Sequence, residues 1–185
     1  MSIFELFGDL VRIFTDLVPR FSSKPRTNEV LVVDRFIFGP EIIRSRPVIY
    51  VPILDIVEYW TTAEVSVNAE QQSLETACGQ SVTVDVGFSF KIIDHILVRQ
   101  ELSDDYLLRV TMIVRGLVKE LVCGHTFNHL CEMGSDSPPM TELFNDINNQ
   151  LDSYGMELCY LCFEDLSISA NIRHFGISFV APLEG

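Results

Sequence analysis

In the run Ser81-Val-Thr-Val-Asp-Val-Gly-Phe-Ser-Phe-Lys-Ile92 an apolar residue falls on every second position. Successive side chains of an extended strand point to opposite faces, so Val82, Val84, Val86, Phe88, Phe90 and Ile92 make one face wholly apolar. A helix would scatter these residues around its circumference, so the run is expected to form a long, half-buried strand. Just upstream, Gln72-Ser-Leu-Glu-Thr76 reads as its partner strand. Cys78-Gly79 lies where a tight hairpin needs a residue able to take positive φ. The alternation stops at Ile93-Asp94.

Leu74-Glu-Thr76, the turn at Cys78-Gly79, the alternating strand from Val82 to Phe90 and then Ile92-Ile-Asp94 follow one another in this order. That series resembles the SPFH or band 7 family of stomatin, prohibitin, flotillin and HflK/HflC, with Cys78 standing where the family has an aspartate before the turn glycine. Earlier in the chain, Glu29 to Phe36 reads as a strand, Gly39-Pro40 as a turn, and Val48 to Asp55 as an apolar segment leading to a strand from Ile56 to Trp60. This is similar to the family's opening, although Arg46-Pro47-Val48 lacks the glycine expected after the proline. A helix, then Tyr154-Gly-Met-Glu-Leu158, then a strand carrying Glu164-Asp165-Leu166 is similar to its closing elements. The resemblance spans about residues 29–170. It implies an α+β fold, a mostly antiparallel sheet packed with helices, in a non-enzymatic protein that self-associates and organises membrane patches or partner proteins.

The first residues read differently from the rest. Ile3, Phe4, Phe7, Leu10, Val11, Phe14, Leu17, Val18 and Phe21 recur at helical spacing, with Glu5, Asp9, Arg12 and Asp16 opposite, so residues 1–21 are expected as an amphipathic helix. A linker follows at residues 22–28, which hold Pro25 and show no period, then a domain over 29–170 and a short tail over 171–185 without heptads. Relatives place a hydrophobic N-terminal segment in or on the bilayer. The resemblance thus implies a peripheral protein on the cytoplasmic side, anchored through Ile3, Phe4, Phe7, Leu10, Val11, Phe14, Leu17 and Val18. The same face could instead dock on neighbouring subunits of a soluble ring within a larger particle such as a virion. Its polar side lacks the Lys/Arg richness of interfacial helices, which favours that alternative. With no heptads in the tail, assembly of a homo-oligomer is expected to rest on the domain, the helix or another protein.

Charge narrows the partners. The chain carries a net charge of −13, which argues against nucleic acid, since phosphate binding needs clustered Lys and Arg. Residues 1–26 hold Arg12, Arg20, Lys24 and Arg26 against Glu5, Asp9 and Asp16, a net of +1, leaving −14 for the remainder. Only this first part suits an anionic surface. Glu5, Asp9 and Arg12 interrupt any signal-peptide core or spanning helix.

Chemistry-bearing groups are sparse. Five cysteines, an odd number, are expected as reduced thiols. Cys159-Tyr-Leu-Cys162 matches C-x-x-C, but on a strand the two residues face opposite ways. Cys123, His125, His129 and Cys131 gather potential zinc ligands without the spacing of a known finger, in a stretch where relatives use no metal. No metal and no cofactor are expected. The acid pairs Asp104-Asp105 and Glu164-Asp165 read as a helix start and a solvated strand end, and His95 and His174 stand alone. With no nucleophile elbow, zincin motif or phosphate-binding loop, no catalytic residue is assigned.

Two further helices are expected. One is introduced by Ser103-Asp104-Asp105, carries Leu107, Leu108, Met112, Val114, Arg115, Leu117, Val118, Leu121 and Val122, and stops at Gly124. The other starts at Ser137-Pro138 and uses Leu143, Phe144, Ile147, Leu151 and Tyr154, with a short turn of helix around 126–131 between them.

Overall fold

The structure, a computed structural model, describes residues 3–102 and 105–168, without the side chains of residues 3–7 and Leu10. Its elements are α1 (Ile3–Asp16), β1 (Arg20–Phe21), β2 (Glu29–Arg35), β3 (Gly39–Ile43), β4 (Ile49–Tyr50), β5 (Asp55–Thr61), β6 (Val65–Glu75), β7 (Ser81–Ile92), α2 (His95–Leu102), α3 (Tyr106–Gly124), α4 (Phe127–Glu132), α5 (Pro138–Asp152) and β8 (Met156–Ile168). The protein is therefore α+β, with sheets ordered β1-β4, β3-β2-β5 and β6-β7-β8. β1 pairs antiparallel with β4, and β2 with both β3 and β5. The chain divides into two units, one of residues 1–66, 89–110 and 148–160, the other of residues 67–88, 111–147 and 161–185.

In the first unit the core begins with Val30, Leu31, Val32 and Val33, all fully buried. Four consecutive apolar residues suit a strand covered on both faces, and β2 is the central strand of its sheet. Leu31 and Val33 pack with Ile43, Val48 and Val57. Each such side chain contributes about 1.5–3 kcal/mol when removed from water.

The register of the β2–β3 hairpin differs from the sequence expectation. Arg35 pairs with Gly39, so residues 36–38 form a three-residue loop and Gly39, at φ 75°, is the first residue of the returning strand. That is the hairpin in which a turn is closed by a residue in the left-handed region, which glycine enters without a Cβ clash. The turn thus precedes Gly39-Pro40, and Phe36 lies in the loop beyond the strand.

The N-terminal helix is shorter than its apolar spacing suggested. α1 stops at Asp16, with Leu17 N still bonded to Ile13 O at 3.1 Å and Val18 N turned back to Thr15 O at 3.3 Å. Pro19 has no N–H to continue the ladder and pushes Val18 out of the helical region. Arg20–Phe21 pairs with Ile49–Tyr50 instead.

α2 was not foreseen. Its cap is Asp94, whose Oδ1 accepts from the backbone N–H of Ile96 (3.0 Å) and Leu97 (3.1 Å). The helix is tied down by Arg99, which bonds Asp34 Oδ2 through Nη1 and Glu58 Oε2 through Nε, each at 3.0 Å. Trp60 Nε1 donates to the same Glu58 oxygen at 3.1 Å. Gly155, at φ 74°, closes the unit, because its carbonyl accepts from Ile93 N and Asp94 N and a Cβ there would sit 2.8 Å from Asp94 O.

β6 runs unbroken from Val65 to Glu75, longer than the Gln72–Thr76 strand expected from the sequence; in the second unit it turns into β7 through Gly79 at φ 78°. Val82, Val84, Val86 and Phe88 are buried, as the alternation requires. Gly87 on the opposite face is also covered, since a Cβ there would collide with the Glu164 carboxylate, which lies across the strand and accepts from Asn68 Nδ2 at 2.7 Å. In this unit α3 buries Ile113, Val114, Val118 and Val122 and exposes Met112, and its first-unit residues Leu107 and Leu108 are exposed as well. α4 is capped by Thr126, whose side chain accepts from His129 N. Ser137 precedes α5, but its Oγ is buried without a partner among the described residues, and its carbonyl accepts from Thr141 N at 3.0 Å. The expected cap at Ser103 and Asp104 lies outside the described residues.

Candidate functional site

The expected contact face starts on α1. Ile3, Phe4, Phe7 and Leu10 lie on its backbone, with their side chains outside the described part. Val11 and Phe14 lie on the helix and are exposed, Phe14 by 63%, while Leu17 and Val18 lie just past its end and are exposed too. Ile13, left out of the sequence stripe, is half exposed; three residues after Leu10 and four before Leu17, it widens the apolar stripe. Among the described residues, these five side chains are left about half exposed or more.

A second apolar feature was hidden in the sequence. Phe36, Ile37 and Phe38 form the tip of the β2–β3 hairpin and are 83%, 76% and 82% exposed. Beside them, Phe36 N bonds Leu54 O at 3.1 Å, which places the exposed Ile53 and Leu54 next to the tip. The 51–54 loop is itself fixed: Val51 N bonds Asp55 Oδ2, and Asp55 N returns to Val51 O at 2.7 Å. Single exposed apolar residues are ordinary, but five together at one end of a sheet make a candidate contact surface. The amino-acid pattern alone gave no warning, because an apolar triplet beside a strand reads as core.

The groups with reactive chemistry are separated or occupied. A cavity of about 310 Å³ is lined by Glu58, Tyr59, Trp60, Thr61 and Tyr106. Trp60 and Tyr106 fill one side with ring centroids 5.6 Å apart, and the Glu58 carboxylate is taken by Arg99 and Trp60. His95 is buried edge-on to Trp60; its Nε2 bonds Thr61 O at 3.0 Å, so Nε2 carries the proton and Nδ1 is left without a partner among the described residues. It is a core histidine. The His125 and His129 rings lie 4.9 Å apart, tilted by 58°, with His125 Nδ1 on Leu121 O, but Cys123 and Cys131 are exposed and the described residues hold no group of three or more potential metal ligands. Cys159 and Cys162 are unbridged on β8. Of the acid pairs, Asp105 is exposed, Glu164 serves Asn68, and Asp104, like His174, lies outside the described residues.

Cys78 is the thiol with a distinct environment. The Thr76 hydroxyl at 3.2 Å, helped by backbone groups of Gln80 and Phe127, holds it below the ordinary thiol value, while burial pushes Cys159 up. A lower value means more thiolate at neutral pH. Iodoacetamide at about pH 8 is expected to alkylate Cys78 ahead of Cys159, and Thr76→Val to narrow the gap, as read by mass spectrometry. Equal rates in the parent chain would refute this.

No protein-family model matches the chain, and no curated protein matches it. Among the described residues no helix is long and apolar enough to cross a membrane.

Proposed function

We propose that this chain is a non-enzymatic, SPFH/band 7-like scaffold that self-associates on the cytoplasmic face of a membrane and organises a lipid patch or partner proteins. One observation carries the reading: among the described residues two apolar elements are exposed, Val11, Ile13, Phe14, Leu17 and Val18 in and just after α1, and the Phe36–Phe38 tip. An in-plane helix with a polar outer face and a convex aromatic loop are both forms that insert shallowly into the headgroup region. The order of a β6–β7 hairpin, an alternating apolar strand, helices and a closing strand supports the family likeness.

The second reading, a soluble ring subunit of a larger particle, is favoured by the acids on α1. Asp9 and Asp16 oppose an anionic bilayer, with Arg12 as the single base on that helix.

Vesicle flotation of the full chain beside one lacking residues 1–16, which removes α1 and leaves Arg20–Phe21 in place, with the mass of each followed by light scattering, decides between them. The membrane scaffold requires that the full chain float and that deletion lower the bound fraction about tenfold or more. If neither floats and deletion breaks a discrete oligomer, α1 is a subunit contact and the ring reading replaces it.

A further inference from the structure

A small groove lies on the second unit between α3 and α5. Leu117, Leu121 and Leu143 form its apolar walls, and Glu120, Glu142 and Asp146 line it alongside them. On each helix these residues recur at three- and four-residue spacing, so both helices turn one mixed face to the groove. The cavity measures about 200 Å³. That is below the roughly 300–1,000 Å³ of small-molecule sites and suits one anchoring side chain of a protein partner. None of the three carboxylates makes an ion pair among the described residues, and the unit around them holds two basic residues against ten acidic ones in its described part, a net of −8. The occupant must therefore bring both an apolar anchor and positive charge.

The chain carries such a segment. Phe21 is 76% exposed in β1, and Lys24 and Arg26 follow it, both exposed and without an ion pair among the described residues. Arg20 is held by Asp16 at 3.2 Å, which leaves Lys24 and Arg26 as the available cations. We propose that the Phe21–Arg26 segment of one copy docks in the α3–α5 groove of a second copy, with Phe21 in the cavity and Lys24 and Arg26 against the carboxylates. The contact joins two different surfaces, so it is head-to-tail and repeats from copy to copy, giving a closed ring or an open filament. This rests on the reading of the chain as a self-associating scaffold and names the contact by which it associates.

Charge exchange tests it, with mass measured by sedimentation velocity in solution without lipid. Lys24→Glu with Arg26→Glu, or Glu120→Lys with Glu142→Lys, is expected to weaken association about tenfold or more and move the chain toward its 21.0 kDa monomer. Placing all four changes in one chain, or mixing the two charge variants, restores opposite charges at every contact and should restore the parent assembly. Phe21→Asp should also dissociate it. The inference is overturned if the parent chain is monomeric at high concentration, if the charge variants keep the parent mass, or if mixing them restores nothing. Flotation separates this failure from that of the broader reading. A chain that floats and assembles while ignoring the charge variants refutes only this contact, and one that neither floats nor assembles refutes the scaffold as well.

Discussion

Replacing Phe36 and Phe38 together by aspartate is expected to lower vesicle partitioning about 100-fold while leaving the fold intact. Both rings point into solvent, at 83% and 82% exposure, so their removal takes almost nothing from the core. Surface changes of this kind stay within about 0.5 kcal/mol, or about 2 °C in Tm for a chain of this size. In a bilayer the account differs. Fully burying one phenylalanine is worth about 1.5–3 kcal/mol, and every 1.4 kcal/mol is tenfold in affinity, so two rings supply roughly 100-fold even if they insert only partly. Thermal unfolding and flotation on the same samples give both halves of the test. Undiminished flotation would remove the hairpin tip from the contact surface and leave α1 to act alone.

The second large effect concerns stability. Phe88→Ala is expected to cost about 3–5 kcal/mol, because the ring is 2% exposed at the centre of β7 and its loss leaves a cavity the sheet cannot close. In a chain of this length that is a fall in Tm of about 6–20 °C. Ile93→Ala, just past the end of the same strand and 59% exposed, should change it by no more than about 0.5 kcal/mol. Denaturant midpoints measured side by side would decide. Similar losses for the two would mean that β7 is not the buried strand on which the second unit is built.

β7 was legible because a period of two over twelve residues has a single structural solution, and α5 because Leu143, Ile147 and Leu151 keep helical spacing. α2 escaped because eight residues are too few to show a period, although its cap Asp94 was in plain sight. The stripe read on α3 included Val114, Val118 and Val122, which the fold buries, but also Leu107, Leu108 and Met112, which it leaves outside, and it passed over the buried Val110 and Ile113. Spacing locates a helix, but the phase of its buried side is set by what packs on it. The same logic explains the contact surface. Helical spacing marked α1, but nothing in Phe36-Ile37-Phe38 distinguishes a protruding tip from a buried strand end. Only the pairing of Arg35 with Gly39, a tertiary fact, turns those three residues outward.

The double grip of Arg99 bears on that tip. β2 and β5 run directly into the 36–38 and 51–54 loops, and the guanidinium holds one carboxylate from each strand, Asp34 and Glu58. The two loops are thus mounted on a clamped base and joined to each other through Phe36 N and Leu54 O. A flexible loop would lose conformational freedom on meeting a surface, and that entropy would be subtracted from its grip. Here the ordering is completed during folding, so the apolar tip is presented preformed, and on the proposed reading a guanidinium on a short helix would set adhesion without touching whatever is gripped.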